Sequence, residues 1–109
     1  MTARMKKMLV VILKEGDVWQ GAPVYERFVQ LLHQSRVAGA TVTPGIMGFG
    51  RHYRIHHKGL FGVADDRPVT IVAVDYEEVL RTAVEQSRDM LDSALTLMLD
   101  VDFTGDQRR

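Results

Sequence analysis

The stretch Pro68–Asp75, "PVTIVAVD", is apolar on both faces apart from Thr70. Successive side chains of a strand point to opposite sides, so an apolar run without alternation marks a strand covered on both faces. Just downstream, "DYEE" sets Asp75 as a helix N-cap with Glu78 three residues on, a capping-box pattern. Val79, Leu80, Ala83, Val84, Met90 and Leu91 then mark one face of a helix. In "LTLMLDVDF", Leu95, Leu97, Leu99, Val101 and Phe103 alternate with Thr96, Met98, Asp100 and Asp102, as in a half-exposed edge strand. The tail "TGDQRR", residues 104–109, reads as frayed.

Upstream of Pro68 lies a polar, glycine-containing loop from about Arg51 to Arg67, and before it "ATVTPGIMGFG". Pro44 gives no ladder donor, so this second strand belongs at an edge or carries a bulge. Further back, Met5–Leu13 is another two-sided apolar run rich in β-branched residues. After the loop "EGDVWQG", Pro23 opens a helix whose residues Val24, Tyr25, Phe28, Val29, Leu31 and Leu32 recur at helical spacing to about Val37, with Gly39 closing it.

The order strand–helix–strand–strand–helix–strand is the split βαβ, ferredoxin-like α+β arrangement with a four-stranded antiparallel sheet. Strands one and three are then central, and the proline- and aspartate-bearing strands are edges. The whole chain, 1–109, forms one such domain. Two helices cover only one face of such a sheet, yet Val10, Ile12, Val72 and Val74 need cover as well as Leu9, Val11, Ile71 and Ala73. An apolar face of that size is not left in water, which predicts packing against copies of the same chain.

Composition narrows the function classes. The 109 residues are 46% hydrophobic and 26% charged, an ordinary globular balance. Lys and Arg total 14, as do Asp and Glu, so no global field recruits nucleic acid. There is no cysteine, which removes disulfides, thiolate nucleophiles and cysteine-type zinc sites. The basic start and apolar run "MTARMKKMLVVILKEG" superficially imitate a secretion signal, but Met8–Leu13 is too short for its core, and Lys14-Glu15 follow without a cleavage pattern. The expectation is a cytoplasmic protein that does not insert into a membrane. The three serines, Ser35, Ser87 and Ser93, sit in no nucleophile-elbow context, and no acid–base pair stands at an enforced spacing, so no catalytic residue is assigned.

One stretch departs from the rest. "GIMGFGRHYRIHHKG", Gly45–Gly59, gathers four glycines, two arginines, three histidines and a lysine around Phe49 and Tyr53. Gly48 and Gly50 suit backbone that must approach an anion closely, or else a bulge ending the second strand. Arg51 and Arg54 offer the planar fork that holds phosphate or carboxylate, unless the loop is simply solvated and neutralised by Asp65 and Asp66. His52, His56 and His57 supply two metal ligands at most, with no cysteine or nearby acid in the run to complete a set. Trp19, with Glu15 and Asp17 in the first loop, either stacks on a ring in the same cleft or caps the core.

Taken together, "EGDVWQGAPVYE", "AGATVTPGIMGFG", "RIHH" and "RPVTIVAVD" resemble the PII-like proteins grouped as domain of unknown function 190, over about Lys7–Asp75. "GFGR", Gly48–Arg51, is also similar to the segment that leads into the long mobile T-loop of the PII signalling proteins. The resemblance implies a trimer with inward-facing sheets, as in PII and CutA proteins, and a T-loop-like mobile loop over 51–67. It further implies a small anionic effector, a nucleotide among the candidates, bound between subunits near the loop base. Gly48, Phe49, Gly50, Arg51, Arg54, His56 and Trp19 are the expected ligand-binding residues. His52, Tyr53, His57 and Lys58 are expected to face a partner, a membrane transporter or an enzyme. PII proteins carry a G-D-G-K-type phosphate segment before the last strand; "DSALTLMLDVDF" has nothing comparable. Two other readings compete: a metal-binding CutA-like protein using the loop histidines, and a small ferredoxin-like enzyme with a pocket between helices and sheet. For the enzyme, Thr41, Thr43 and Thr70 are the evident polar candidates.

Overall fold

The computed structural model describes residues 5–50, 53–57 and 67–105, with residues 50 and 53–57 in backbone only. Its core is a four-stranded antiparallel sheet of β1 (Lys6–Lys14), β4 (Gly39–Pro44), β7 (Pro68–Tyr76) and β8 (Leu95–Asp100), in the order β4-β7-β1-β8. The two-sided apolar runs take the centre and the proline-bearing strand takes an edge. β1 and β7 pair from Lys6↔Tyr76 to Lys14↔Pro68, the longest ladder among the described residues.

Alternation along the strands divides the apolar residues between two faces. Leu9, Val11, Leu13, Val69, Ile71 and Ala73 are buried beneath the helices α1 (Val24–Gln34) and α2 (Glu77–Gln86). Phe28 and Leu32 from α1 and Leu80 and Ala83 from α2 complete that layer at 0–1% exposure. Each large side chain sealed in this way contributes roughly 2–3 kcal/mol relative to exposure.

No described residue covers the opposite face. Register places Leu99 beside Met8 and Val74, Leu97 beside Val10 and Val72, and Leu95 beside Ile12 and Thr70. Leu95, Leu97 and Leu99 are 57%, 45% and 43% exposed. Thr41 and Thr43 extend these rows across β4, opposite Val72 and Thr70.

Several local expectations are corrected. Helix α1 stops at Gln34 rather than near Val37, and Arg36, not Gly39, makes the reversal with a left-handed φ of 60°. The Val37 N–H donates to the Leu32 carbonyl (3.1 Å) and the Arg36 N–H to that of His33 (3.0 Å). This 6→1 bond, with Val37 packed on the core, offsets the steric cost of a non-glycine residue there. Helix α2 ends at Gln86, so Met90 and Leu91 reach the core from the turns that follow.

Asp75 is not a helix cap. It is the penultimate residue of β7, fully buried, and its carboxylate accepts from the Ala38 N–H (2.9 Å) and from the Tyr76 N–H. Tyr76 takes the N-cap position without a side-chain bond, and the Glu77 N–H is satisfied by the Met5 carbonyl (2.7 Å).

"ATVTPGIMGFG" is broken at its proline. β4 ends at Pro44, and β5 (Met47–Gly50) belongs to a separate ribbon with β6 (Tyr53–His57). A strand thus occupies part of the expected 51–67 loop. The rest of that loop, 51–52 and 58–66, and the tail residues 106–109 lie outside the described residues.

Candidate functional site

The glycine corner is built on Pro68. After Pro44 pairs with Val69 at the sheet edge, the chain turns, and the Gly45 N–H donates to the Pro68 carbonyl at 2.7 Å. A Cβ on Gly45 would stand 2.8 Å from Pro68 Cγ and 3.3 Å from the Pro68 carbonyl oxygen; on Gly48, 3.1 Å from the same Cγ. Gly45 is therefore required by close approach to a proline, and a side chain at Gly48 would meet a tight contact with the same ring. Gly45→Ala should lower stability by about 1–3 kcal/mol, the range of an overpacked contact. Pro68→Ala in the same chain should recover part of that loss in a thermal melt, because it removes the nearest colliding atom.

From this base the ribbon pairs Met47 with His57, Gly48 with His56 and Gly50 with Tyr53, and the register shifts between Gly48 and Gly50. One residue of β5, Phe49, there stands opposite two of β6, Arg54 and Ile55, so the irregularity adds its extra residue to β6 and not to the glycine segment. Phe49 and Ile46 are each 70% exposed and Met47 55%. Arg54 and His57 share β6 with Tyr53 and His56. Arg51, His52 and Lys58 lie outside the described residues, as do the side chains of the β6 residues.

The corner is clamped to the end of β1. Arg67, next to Pro68, donates from Nε (2.9 Å) and Nη2 (2.7 Å) to Glu15 Oε1, and the Glu15 N–H donates to the Arg67 carbonyl (2.8 Å). Arg67 and Pro68 were not foreseen as site residues. The signal was a proline in the strand paired with a glycine-rich segment, but register across the fold is needed to read it.

Trp19 lies elsewhere in the chain. It belongs to a two-residue hairpin of β2 (Val18–Trp19) and β3 (Ala22–Pro23), whose turn residues Gln20 and Gly21 have φ of 51° and 83°. Such paired left-handed residues match the twist of a tight hairpin. Trp19 packs on the core and lines a cleft between α1 and the turns after α2, while the glycine corner packs on β7. Glu15 and Trp19, expected together, thus diverge: Glu15 anchors the corner, and Trp19 faces the helices.

Thr41, Thr43 and Thr70 stand on the open sheet face, and the strand side beneath the helices carries leucine, valine, isoleucine and alanine with the hydrogen-bonded Asp75 at its end. Among the described residues no three His, Cys, Asp or Glu side chains gather as a metal site, and no helix is long and apolar enough to cross a membrane. The side chains of His52, His56 and His57 lie outside that set.

Comparison with known proteins places this geometry. The profile of the domain of unknown function 190 family, Uncharacterized ACR, matches residues 6–103. The chain belongs to this family. The UPF0166 protein of Aquifex aeolicus is 27% identical over 92 residues, covering 84% of this chain and 88% of that protein. The UPF0166 protein of Methanocaldococcus jannaschii is 28% identical over 95 residues, 86% and 87% of the two chains. The fold is that of CPII, a nitrogen regulatory PII-like protein from Thiomonas intermedia K12 solved bound to ADP, AMP and bicarbonate: TM-score 0.71, 22% identity, 92% of this chain and 89% of that one. CutA1 of Ehrlichia chaffeensis, a divalent ion tolerance protein, superposes with a TM-score of 0.62 at 12% identity over 97% and 90% of the chains. The membership read from the motifs is thus shown for the domain of unknown function 190 family, and the PII-like and CutA likeness at the level of the fold.

Proposed function

We propose that this chain is a PII-like regulatory subunit. Three copies join through their open sheet faces, and the seams between them take a small anionic effector at the corner of Gly48, Phe49, Gly50 and Arg51. The segment that follows, including Tyr53–His57, carries the bound state to a partner protein, a transporter or an enzyme.

The observation that carries this reading is the uncovered row of Leu95, Leu97 and Leu99 with Met8, Val10 and Val72. An apolar patch of that kind on a small domain marks an interface, and an interface supplies clefts that one chain lacks. The base of the corner is fixed by the Gly45–Pro68 hydrogen bond and the Glu15–Arg67 pair, while the ribbon beyond shares no ladder with the main sheet, so a ligand touching both selects one ribbon orientation. A nucleotide is the effector class favoured, because CPII shares the fold and was solved with ADP and AMP. The lack of a G-D-G-K-type segment before β8 leaves the phosphates to Arg51, Arg54 and the backbone N–H groups of the corner.

The test is a panel of ADP, AMP, ATP, cyclic nucleotides and bicarbonate read by thermal unfolding. A ligand at about 100 times its Kd adds about 2.7 kcal/mol, a shift of several degrees. At least one nucleotide should give that shift, and Arg51→Ala should abolish it. A panel with no effect, or a shift untouched by Arg51→Ala, removes the site from the corner.

A further inference from the structure

The β5–β6 ribbon leaves the sheet on its open side. By alternation along β7, Pro68 belongs to the same face as Thr70, Val72 and Val74, yet it is buried while those three stay partly exposed. The segment 45–48 lies against its ring, since a Cβ on Gly45 or Gly48 would meet Pro68 Cγ at 2.8 or 3.1 Å. The ribbon thus begins over the open face, just beyond the row Leu95–Ile12–Thr70–Thr43.

That placement sets which way its apolar residues point. Gly48 turns its side-chain position to the Pro68 ring, so Met47 and Phe49, its neighbours along β5, turn theirs away from the sheet. Both are more than half exposed, as is Ile46. They occupy the side of the sheet on which an assembling copy must lie, and they carry the apolar surface of Leu95, Leu97 and Leu99 past Pro68. A patch spanning face and ribbon marks an interface.

Closure of a ring selects the part of the next copy that meets the ribbon. In three sheets ranged about an axis along their strands, each sheet touches the next through unlike edges, here β4 and β8. The Gly45 N–H turns inward to Pro68, so Pro44 faces the outer edge, where it has no donor to give. Side chains rather than a backbone ladder must therefore carry the seam at this end. The same level of β8 is Leu95, at 57% the most exposed of its leucines.

We propose that Met47 and Phe49 of one copy rest on Leu95 of the next, so the corner that takes the effector is completed by a second chain. This inference rests on the three-copy reading above and adds the residues that join ribbon to seam. Leu95 then serves the corner of its neighbour, not that of its own chain. A ribbon that changes orientation on binding effector alters a contact of the next copy.

The chain has no cysteine, so an introduced pair reports this contact without background. In the full-length double variant Met47→Cys with Leu95→Cys, mild oxidation should give a covalent trimer of about 37 kDa, three times 12.3 kDa, which dithiothreitol returns to single chains. Within one chain Gly48 packs on β7, two strands and about 10 Å from β8, farther than a disulfide spans. Either single variant should give no band above a dimer, and Met47→Cys with Leu99→Cys, at the far end of β8, no covalent trimer. Met47→Asp should raise the concentration of half-dissociation in sedimentation by at least about tenfold. Met47→Leu, close in volume, should stay within about threefold of the parent. The inference falls alone, with the three-copy reading standing, if the parent is trimeric but the Met47–Leu95 pair gives no covalent trimer, or no more than the Met47–Leu99 pair. It also falls alone if Met47→Asp dissociates like the parent. A monomeric parent overturns both.

Discussion

Leu97→Asp should leave a folded monomer, whereas the parent chain should sediment at about 37 kDa, three times its 12.3 kDa mass. Leu97 stands at the middle of the open face, in the row Leu97–Val10–Val72–Thr41, and is 45% exposed in the single chain. An aspartate there meets water without loss in the monomer, and the helix-side core of Phe28, Leu32, Ile71 and Leu80 is untouched. In the assembly it would be an unpaired carboxylate in an apolar interface, repeated once per subunit, and burial of such a charge costs several kcal/mol each time. Sedimentation equilibrium of parent and variant decides the matter. A parent that is monomeric at micromolar concentration, or a variant still trimeric, removes the seam on which the effector site depends. A Thr41→Asp control, on the polar edge of the same row, should have a much smaller effect.

Asp75→Ala is the substitution expected to cost most within the chain, about 2–4 kcal/mol. The carboxylate ties the last residues of β7 to the segment between α1 and β4 through the Ala38 N–H, and also accepts from the Tyr76 N–H. Removing it strands backbone donors beside a fully buried position and leaves a small void. At this chain length that loss should lower the melting temperature by roughly 8 °C or more. Asp75→Asn should cost less, because the amide oxygen still accepts one bond while its NH2 meets a donor. A variant melting within about 2 °C of the parent would show that the carboxylate is no tertiary tie.

The residues that announced the fold were those whose local chemistry has one reading. Two-sided apolar runs at β1 and β7 demand central strands, and Pro44 demands an edge; both places are where the sheet puts them. The open face was legible for the same reason: Val10, Ile12, Val72 and Val74 cannot share one side with Leu9, Val11, Ile71 and Ala73. Its third row was not, because Leu95, Leu97 and Leu99 join it only through the β1–β8 register.

Local motifs failed where a partner distant in sequence outweighed them. Asp75 followed by Glu78 has the pattern of a cap, but its ligand is Ala38, 37 residues away. Gly39 has the conformational freedom to end α1, but a 6→1 bond lets Arg36 do so first. In Tyr53–His57 only Tyr53 and Ile55 alternate with polar neighbours, a stretch too short to mark a strand by itself, so its strand character is settled by pairing with β5. At the site, the glycines were visible and their anchor was not: Pro68 and Arg67 are ordinary residues until the sheet brings them to Gly45 and Glu15.

The break at Pro44–Gly45 has a mechanical meaning. The β5–β6 ribbon shares no ladder with the four-stranded sheet, and among the described residues the backbone hydrogen bond at its base is that from the Gly45 N–H to the Pro68 carbonyl, beside the Pro68 ring. It is a lever seated on a single fulcrum. Tilting it forfeits about one hydrogen bond, a net cost near 1 kcal/mol, while the β1–β7 ladder beneath stays intact. A binding event worth only a few kcal/mol can therefore reset the angle of the arm and leave the platform unchanged.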